Sequence, residues 1–433
     1  LGHEVYYAQD TTYRLPTLSC SFGIKTPLVE GSAKSSVLVD LYLRALEEKL
    51  YTPLAQAAQA GISFRSENQD CTLLFSFSGY DDKAPLLIET FAKSLSYVHP
   101  SAEQFSIYKQ SLLSIYDNAS KELPCVQAQE ILKSILYNTS PTSQAKYSAL
   151  QKVSYEEFSS FCKHLFEKSY VEATIYGNLS LEGACNVWNS LDSNFSHNPY
   201  PLKEHLSKKV LLLPDNQGPF LIAHKTERQG HGVILLLQEG SFSFKKRASQ
   251  QIISKALRQA FFDTLRTKQQ TAYIAQSTDF EKEKQLFQLF VVQSVSHQPK
   301  ELLARFELFL EDFNRNIQQI IPPERFETLK SNLIQDLQTP LETQYDMMRR
   351  LNLFAFTYGA DFAWQEKRIA AIQALSYQEL LEDVKSFLSR SNLKRVAILV
   401  EGELPADNLF RYAEIEQDDL KMLGQYWGEM SPN

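Results

Sequence analysis

The chain repeats itself, and this internal repeat restricts its fold more than any other feature of the sequence. Ser154-Tyr155-Glu156-Glu157-Phe158 returns 222 residues later as Ser376-Tyr377-Gln378-Glu379-Leu380, and Gly177-Asn178-Leu179 returns 225 residues later as Gly402-Glu403-Leu404. Two earlier pairs keep the same order: Phe105 and Lys109 with Phe326 and Lys330, and Leu54 and Ile62 with Leu265 and Tyr273. Ordered pairs at slowly drifting offsets indicate a tandem duplication of a unit of roughly 200 residues.

The boundary between the two copies is predicted at Asn194-Phe195-Ser196-His197-Asn198-Pro199-Tyr200-Pro201. Two prolines with Ser and Asn neighbours disfavour regular structure and are typical of a linker. We therefore expect two homologous domains, residues 1–198 and residues 199–433, which is consistent with a chain of 433 residues.

Each copy is predicted to contain strands and helices in the same order. Leu18–Ile24 alternates apolar and polar residues, which predicts a half-buried strand, and Val233–Leu237 is its more apolar counterpart. Val37, Leu41 and Ala45 form a helical stripe, and Pro85 suits the first turn of a helix over Leu86–Tyr97. Further strands are predicted at Thr72–Ser78, Val171–Tyr176, Leu286–Gln293 and Arg395–Val400. The fold class is therefore α+β, with helices packed on a mostly antiparallel sheet in each domain.

Composition and charge exclude several classes of protein. Hydrophobic residues make up 43% and charged residues 22% of the chain, as in soluble globular proteins. The net charge is −7 and no basic cluster is present, so nucleic acid is not predicted as a partner. No apolar run approaches the roughly 18 residues of a membrane span, so no membrane partner is predicted either.

The cysteines and the first residues leave the cellular compartment open between cytoplasm and periplasm. The five cysteines are widely spaced and fit buried thiols better than a disulfide framework or a Cys-x-x-Cys metal site. The chain begins with Leu1 rather than Met, which we interpret as a piece of a longer protein.

Catalytic motifs are scarce. The chain has no Gly-x-Ser-x-Gly elbow, no phosphate-binding loop and no dinucleotide fingerprint. His164 and His224 each precede a Glu by three residues, but the fifth positions are Lys168 and Arg228, where His-x-x-Glu-His would place a second zinc ligand. We predict that His164 lies on a helix surface, that His224 lies in a strand, and that this chain alone holds no catalytic zinc and no other metal.

The best candidate for chemistry is the stretch from Leu265 to Ile274. A polar helix end containing Arg266 and Lys268 runs into Tyr273, at the start of a predicted strand. In a structural interpretation, the cations sit near a helix C-terminus and the tyrosine is an ordinary strand residue. In a functional interpretation, the guanidinium donates to peptide carbonyls or a carboxylate, and the phenol donates to an oxyanion.

At this stretch the sequence resembles the insulin-degrading enzyme/pitrilysin family of inverzincin metallopeptidases. Leu265-Arg266-Thr267-Lys268-x-Gln270-x-x-Tyr273-Ile274 is similar to the signature of the family's C-terminal half. Gly79-Tyr80-x-Asp82-Lys83 and the alanine-rich segment from Tyr51 to Phe64 are similar to two further parts of that half. The three motifs occur in the family's order, on a duplicated frame that covers nearly the whole chain.

The resemblance implies a fold, an activity and a site. Family members consist of two bowl-shaped halves that close around a chamber, and the N-terminal half binds zinc through His-x-x-Glu-His and a distal Glu. This chain is similar to the other half, whose role is to complete the chamber and clamp the peptide. Arg266 and Tyr273 match residues that hold the substrate and support the oxyanion, and Phe262 matches a chamber-facing aromatic residue. Thr271-Ala272 departs from the apolar residue and Gly found in many members.

Three functional hypotheses follow. In the first, this is the C-terminal half of a zinc metalloendopeptidase whose zinc half lies elsewhere in the same polypeptide. In the second, it is a stand-alone, non-catalytic peptide-binding or assembly subunit that partners a separate active subunit. In the third, it is an independently active peptidase with other metal ligands, which the missing His pairs disfavour. The first two share peptide substrates and a zinc-bearing partner, with zinc expected in that partner.

Overall fold

The computed structural model describes residues 2–194 and 198–403, within which ten strands form two five-stranded sheets. The first sheet contains β1 (His3–Gln9), β2 (Thr17–Lys25), β3 (Ser63–Asn68), β4 (Leu73–Tyr80) and β5 (Tyr170–Gly177). The second contains β6 (Phe220–Gln229), β7 (His231–Ser241), β8 (Ile274–Lys282), β9 (Gln285–Ser294) and β10 (Arg395–Glu403). The strands predicted from the sequence match β2, β4, β5, β7, β9 and β10 to within a few residues.

Helices follow the strands in both copies. The first copy contains α1 (Ala33–Lys49), α2 (Tyr51–Gln59), α3 (Ala84–Leu95), α4 (Ala102–Ala119), α5 (Pro124–Leu136), α6 (Ser143–Lys152), α7 (Tyr155–His164) and α8 (Leu181–Asp192). The second contains α9 (Phe244–Phe262), α10 (Pro299–Arg315), α11 (Ile317–Ile320), α12 (Pro323–Gln338), α13 (Gln344–Asn352), α14 (Trp364–Ala374) and α15 (Tyr377–Leu388). As predicted, Pro85 lies in the first turn of α3.

The two sheets have the same topology. Their strand orders are β1-β5-β2-β4-β3 and β6-β10-β7-β9-β8, which is one order repeated. In each sheet the first and last strands of the copy pair in parallel, and the other pairs are antiparallel. The predicted α+β class with two homologous, mostly antiparallel domains is confirmed.

Individual hydrogen bonds repeat as well. Ser154 and Ser376 cap α7 and α15 in the same way, because each hydroxyl accepts the backbone N–H three residues later. In each copy a helix lysine donates to two carbonyl oxygens at the end of the helix before that cap: Lys109 to Gln151 of α6 and its C-cap residue Val153, and Lys330 to Gln373 of α14 and its C-cap residue Leu375. The sequence pairs at these offsets are therefore equivalent positions of a duplicated unit; Leu404 lies outside the described residues.

Helix α5 of the first copy packs on the sheet of the second copy. Its apolar face contributes Cys125, Ala128, Leu132 and Leu136 to a core shared with strands of the second sheet. The backbones come into close contact at Gly232 on β7, where a Cβ atom would lie 2.4 Å from the backbone nitrogen of Cys125. This contact explains why β7 is apolar on both of its faces.

Helix α13 makes the reciprocal contact, because it packs on β2 and β5 of the first sheet. The buried face beneath it is polar and small, with Ser19, Ser21 and Thr174. The strand predicted over Leu18–Ile24 is confirmed, but the prediction that it is half-buried is wrong, because residues 18–24 are buried on both faces. The alternation arises because the apolar residues of β2 face the core of the first copy, whereas its small polar residues face α13 rather than solvent.

Each copy thus packs one helix on the sheet of the other copy. Within the described residues, the buried apolar side chains form three clusters, and the third contains residues of both copies. The predicted boundary at residues 198 and 199 remains a proposal, and residues 195–197 of the predicted linker lie outside the described residues. Directly after them, the backbone nitrogen of Ser169 donates to the carbonyl oxygen of Asn198, and that of Tyr200 donates to the carbonyl oxygen of Ser169.

Candidate functional site

The candidate site begins where α9 ends. After Phe262 the chain continues in a π-helical turn from Asp263 to Lys268. Leu265 is fully buried in this turn and anchors it to the core of the second copy. Because Leu265 points inward, its neighbour Arg266 is exposed. Such π-helical turns are uncommon and occur often at functional sites.

Thr271 closes the turn and directs the chain into β8. Its backbone nitrogen and its Oγ1 both donate to the carbonyl oxygen of Leu265, at 3.0 and 2.8 Å. Its own carbonyl oxygen accepts from Ser294 Oγ at 2.5 Å, and the preceding Gln270 has a positive φ of 53°. The departure from the family pattern at this position therefore has a structural role, since a hydroxyl makes the closing hydrogen bond.

Tyr273 follows directly, one residue before β8, as the sequence predicted. Its backbone nitrogen donates to the carbonyl oxygen of Gln293 at 3.2 Å, and 43% of the residue is exposed. Burial raises the pKa of the Tyr273 phenol above its usual value of 10.0. The phenol is therefore protonated at neutral pH and can act as a hydrogen-bond donor.

The structure brings two of the three predicted site residues into contact. The Arg266 guanidinium lies over the Phe262 ring, 5.2 Å from its centroid, and Phe262 is 37% exposed. This cation–π contact holds the guanidinium near the ring. Within the described residues, no hydrogen bond or ring contact joins Tyr273 to either of them, so the two groups flank the same turn separately. Their functional roles remain predictions.

The structure places three residues near Tyr273 whose contacts the sequence does not predict. They are Thr271, the buried amide side chain of Gln293, and Cys125 at the start of α5, whose backbone nitrogen donates to Gln293 Oε1 at 2.8 Å. The sequence gives no signal that separates Gln293 from the other polar residues of β9, such as Gln288. Nothing near Tyr273 in the sequence indicates Cys125, since it belongs to the other copy.

The two histidines considered as metal ligands lie where they were predicted. His164 is the last residue of α7 and is half-buried, and His224 lies in β6 and is exposed. Within residues 2–194 and 198–403, no group of three or more His, Cys, Asp or Glu side chains is placed to hold a metal ion. The described residues therefore do not fit the ligand set of a zinc site. Nor does that part of the chain contain a helix both long and apolar enough to cross a membrane.

Comparison with known proteins agrees with this architecture. Residues 2–149 match the family model described as the middle or third domain of peptidase M16, and residues 252–352 match that of the PQQ synthase PqqF-like C-terminal lobe domain 4. The first copy thus matches a third domain and the second copy a fourth domain, and the class to which these matches point is the C-terminal part of an M16 peptidase.

Curated relatives point the same way. The chain is 23% identical to the nardilysin-like protein of Arabidopsis thaliana over 92% of its length and 40% of that protein. It is 21% identical to human insulin-degrading enzyme over 94% of its length and 41% of that enzyme. The chain therefore spans about two fifths of the length of these relatives.

Solved structures share the fold. The chain superposes on pitrilysin with a TM-score of 0.81 at 17% identity, covering 96% of this chain and 44% of that one. It superposes on the peptidase M16 inactive domain from Pseudomonas fluorescens with a TM-score of 0.72 at 14% identity, covering 93% and 96%. The family models, the curated relatives and the solved structures thus all point to the insulin-degrading enzyme/pitrilysin (M16) family, and the part of it that this chain matches is the third and fourth domains.

Proposed function

We propose that this chain is the substrate-holding half of a zinc metalloendopeptidase. It closes the degradation chamber and clamps peptides, which are hydrolysed by a zinc-bearing N-terminal half that lies outside these 433 residues. One observation carries the proposal: a chain without His-x-x-Glu-His presents an exposed arginine and a protonated phenol on either side of one anchored turn.

The side chains of this turn suit peptide binding. The Arg266 guanidinium donates to a backbone carbonyl or a terminal carboxylate, and Phe262 offers an apolar surface beside it. The Tyr273 hydroxyl donates a hydrogen bond to the oxyanion that forms on the scissile carbonyl. Because Tyr273 is fixed by its own backbone hydrogen bond to β9, little reorganisation is needed when that charge develops.

A stand-alone, non-catalytic subunit is the second candidate, and one observation favours it. The inactive domain from Pseudomonas fluorescens is a chain of nearly the same extent, 96% of which is covered by this one. The two candidates differ in the mass of the native protein. A single polypeptide with both halves would have more than twice the mass of this chain, whereas a subunit would have the mass of this chain and would co-purify with a separate zinc-bearing chain.

Reconstitution with the zinc-bearing half tests the proposed function on a quenched fluorogenic peptide. We expect no cleavage by this chain alone, with or without added Zn²⁺, and chelator-sensitive cleavage after assembly. In the assembled enzyme, Tyr273→Phe should lower kcat by about 10²-fold, the effect of losing one oxyanion donor. Tyr97→Phe removes a hydroxyl from an exposed tyrosine of the first copy and should leave kcat unchanged.

The arginine is tested in the same assay. Arg266→Ala should raise KM about tenfold with a smaller effect on kcat, because a charged hydrogen bond to the bound peptide is lost. Arg315→Ala, at the exposed end of α10, is the control for the loss of one surface cation. Cleavage by the purified chain alone, or unchanged kinetics in both site variants, would refute the proposed function.

A further inference from the structure

Gln293 is a buried polar residue that stands directly behind the candidate site. It lies near the end of β9 and is fully buried. Its carbonyl oxygen accepts the backbone N–H of Tyr273, so the two residues are adjacent across the start of the β8–β9 ladder. A buried side-chain amide needs hydrogen-bond partners for both of its ends, because an unpaired polar group is costly in a protein interior.

The orientation of this amide is fixed by the first copy. Oε1 accepts the backbone N–H of Cys125 at 2.8 Å, in the first turn of α5. That turn has no side-chain cap of its own, since the residue before it is Leu123. Reversing the amide would place an N–H group against an N–H group, so the hydrogen bond keeps Oε1 towards α5 and Nε2 away from it.

The amide nitrogen of Gln293 has no partner of this kind in the part of the chain that the structure describes. Nε2 of Gln293 is buried and completes no hydrogen bond within the described residues. The Gln293 side chain lies beside the Tyr273 phenol, where it opposes the rise that burial causes in the pKa of that group. Since Oε1 is directed to α5, the amide group that is available to the phenol oxygen is the unused Nε2 donor.

A second buried glutamine of the same copy, at the other helix contact between the copies, shows the contrast. Gln344 lies at the N-terminus of α13, the second exchanged helix, and is also buried. Its Oε1 accepts from Thr17 Oγ1 at 2.9 Å and its Nε2 donates to Asp10 Oδ2 at 3.1 Å. Both ends of Gln344 are thus used in packing the copies together, whereas Gln293 uses one end for packing and directs the other at Tyr273.

We propose that Gln293 is the positioning residue of Tyr273. When the Tyr273 hydroxyl donates to an oxyanion, electron density shifts onto the phenol oxygen, and that oxygen accepts a hydrogen bond from Gln293 Nε2. The amide holds the phenol in its donating orientation and makes it a stronger donor. Because α5 fixes the amide, the packing of the first copy against the second sets the geometry of the site. This inference rests on the proposed role of Tyr273 as an oxyanion donor.

Two substitutions of Gln293 test the inference in the assembled enzyme. Gln293→Glu keeps an acceptor for Cys125 and removes the donor, and Gln293→Met removes the donor without adding charge, so one variant remains usable if the other does not fold. Each should lower kcat about tenfold, the effect of losing one neutral hydrogen bond, with little change in KM. The same two substitutions at Gln276, exposed on the neighbouring strand β8, are the matched controls.

Two readouts separate positioning from mere structural damage. In a Tyr273→Phe background, the Gln293 variants should have no further effect on kcat, since the group they act through is gone. In the 433-residue chain with labelled tyrosines, the ¹³Cζ resonance of Tyr273 should move in the Gln293 variants and stay in place in the Gln276 variants. An additive double mutant, or an unmoved resonance, would overturn the inference. If Tyr273→Phe alone leaves kcat unchanged, the proposed role of Tyr273 as an oxyanion donor fails, and the resonance still decides whether Gln293 acts on the phenol.

Discussion

Glu239 shows how burial of a single residue makes the stability of the chain depend on pH. It lies on β7, where the register with β9 shifts between Gln238 and Gly240. Burial raises the pKa of its carboxyl from 4.5 to about 8, Asp383 acts in the same direction, and Lys246 and Arg247 oppose them. Since the folded chain binds this proton more tightly than the unfolded chain, the stabilisation is complete below pH 4.5 and is lost as the pH rises through about 8.

Glu239→Gln should therefore stabilise the chain at alkaline pH. The amide cannot ionise, so the variant should melt at a higher temperature than the native chain at pH 9, while at pH 4.5 the two should melt within a few degrees of each other. Glu227→Gln, on the exposed face of β6, is the control and should show no such pH dependence. Thermal unfolding followed by circular dichroism at both pH values measures the difference. An equal difference in melting temperature at the two pH values would mean that folding does not raise the pKa of Glu239.

At this scale the sequence predicts exposed groups better than buried ones. Arg266, Tyr273 and Phe262 could be named because they lie in one short motif, and the structure shows all three exposed around one turn. Gln293 could not be named, because its partner Cys125 is 168 residues away and belongs to the other copy. Local spacing carries no information about a contact of that kind.

At the scale of elements, Gly232 sets how closely α5 can approach the second sheet. A Cβ atom at this position would lie 2.4 Å from backbone atoms of Pro124 and Cys125, which no side-chain rotation can relieve. Gly232→Ala should therefore push α5 away from β7 and lower the melting temperature by several degrees, as overpacking in a core does. Gly183→Ala, in α8, is the control: its Cβ would meet side-chain atoms of Leu179 and Ser180 at 3.2 Å or more, and alanine favours a helix. Equal melting temperatures for the two variants would show that α5 is not packed this closely.

The same contact explains where the sequence pattern misleads. Periodicity located β2 and β7 to within a few residues, because alternation and apolar runs are local properties. It did not reveal that both strands are covered on both faces. The residues of β2 beneath α13 are serines and a glycine, which are small enough to pack under a helix. A strand face that is exposed to solvent can have the same pattern of small polar residues, so the pattern does not distinguish the two cases.

At the scale of the whole molecule, the reciprocal exchange of α5 and α13 makes the two copies depend on each other. The repeat in the sequence shows that two equivalent units exist, but two separate domains and two domains with exchanged helices have the same repeat. The apolar face of α5 indicates only that it is buried against something. Contacts such as those of Leu132 and Leu136 with the second sheet determine which arrangement forms. These contacts join residues that are far apart in the sequence, so the local pattern does not reveal them.

Separating the copies should therefore abolish the fold of each. Fragments 1–198 and 199–433, expressed alone, would each expose one sheet face and one apolar or amphipathic helix, so we expect aggregation, dye binding to exposed apolar surface and little amide protection. Co-expressed, they should form a stable 1:1 complex with the circular dichroism spectrum of the intact chain. The control is the intact chain cut at a protease site placed within residues 195–197, which should stay associated after cleavage, because the exchanged helices remain in place. A fragment that is monomeric, protected and cooperative in unfolding on its own would show that its exchanged helix is dispensable, and would support the boundary at residues 198 and 199 as a division between independent domains.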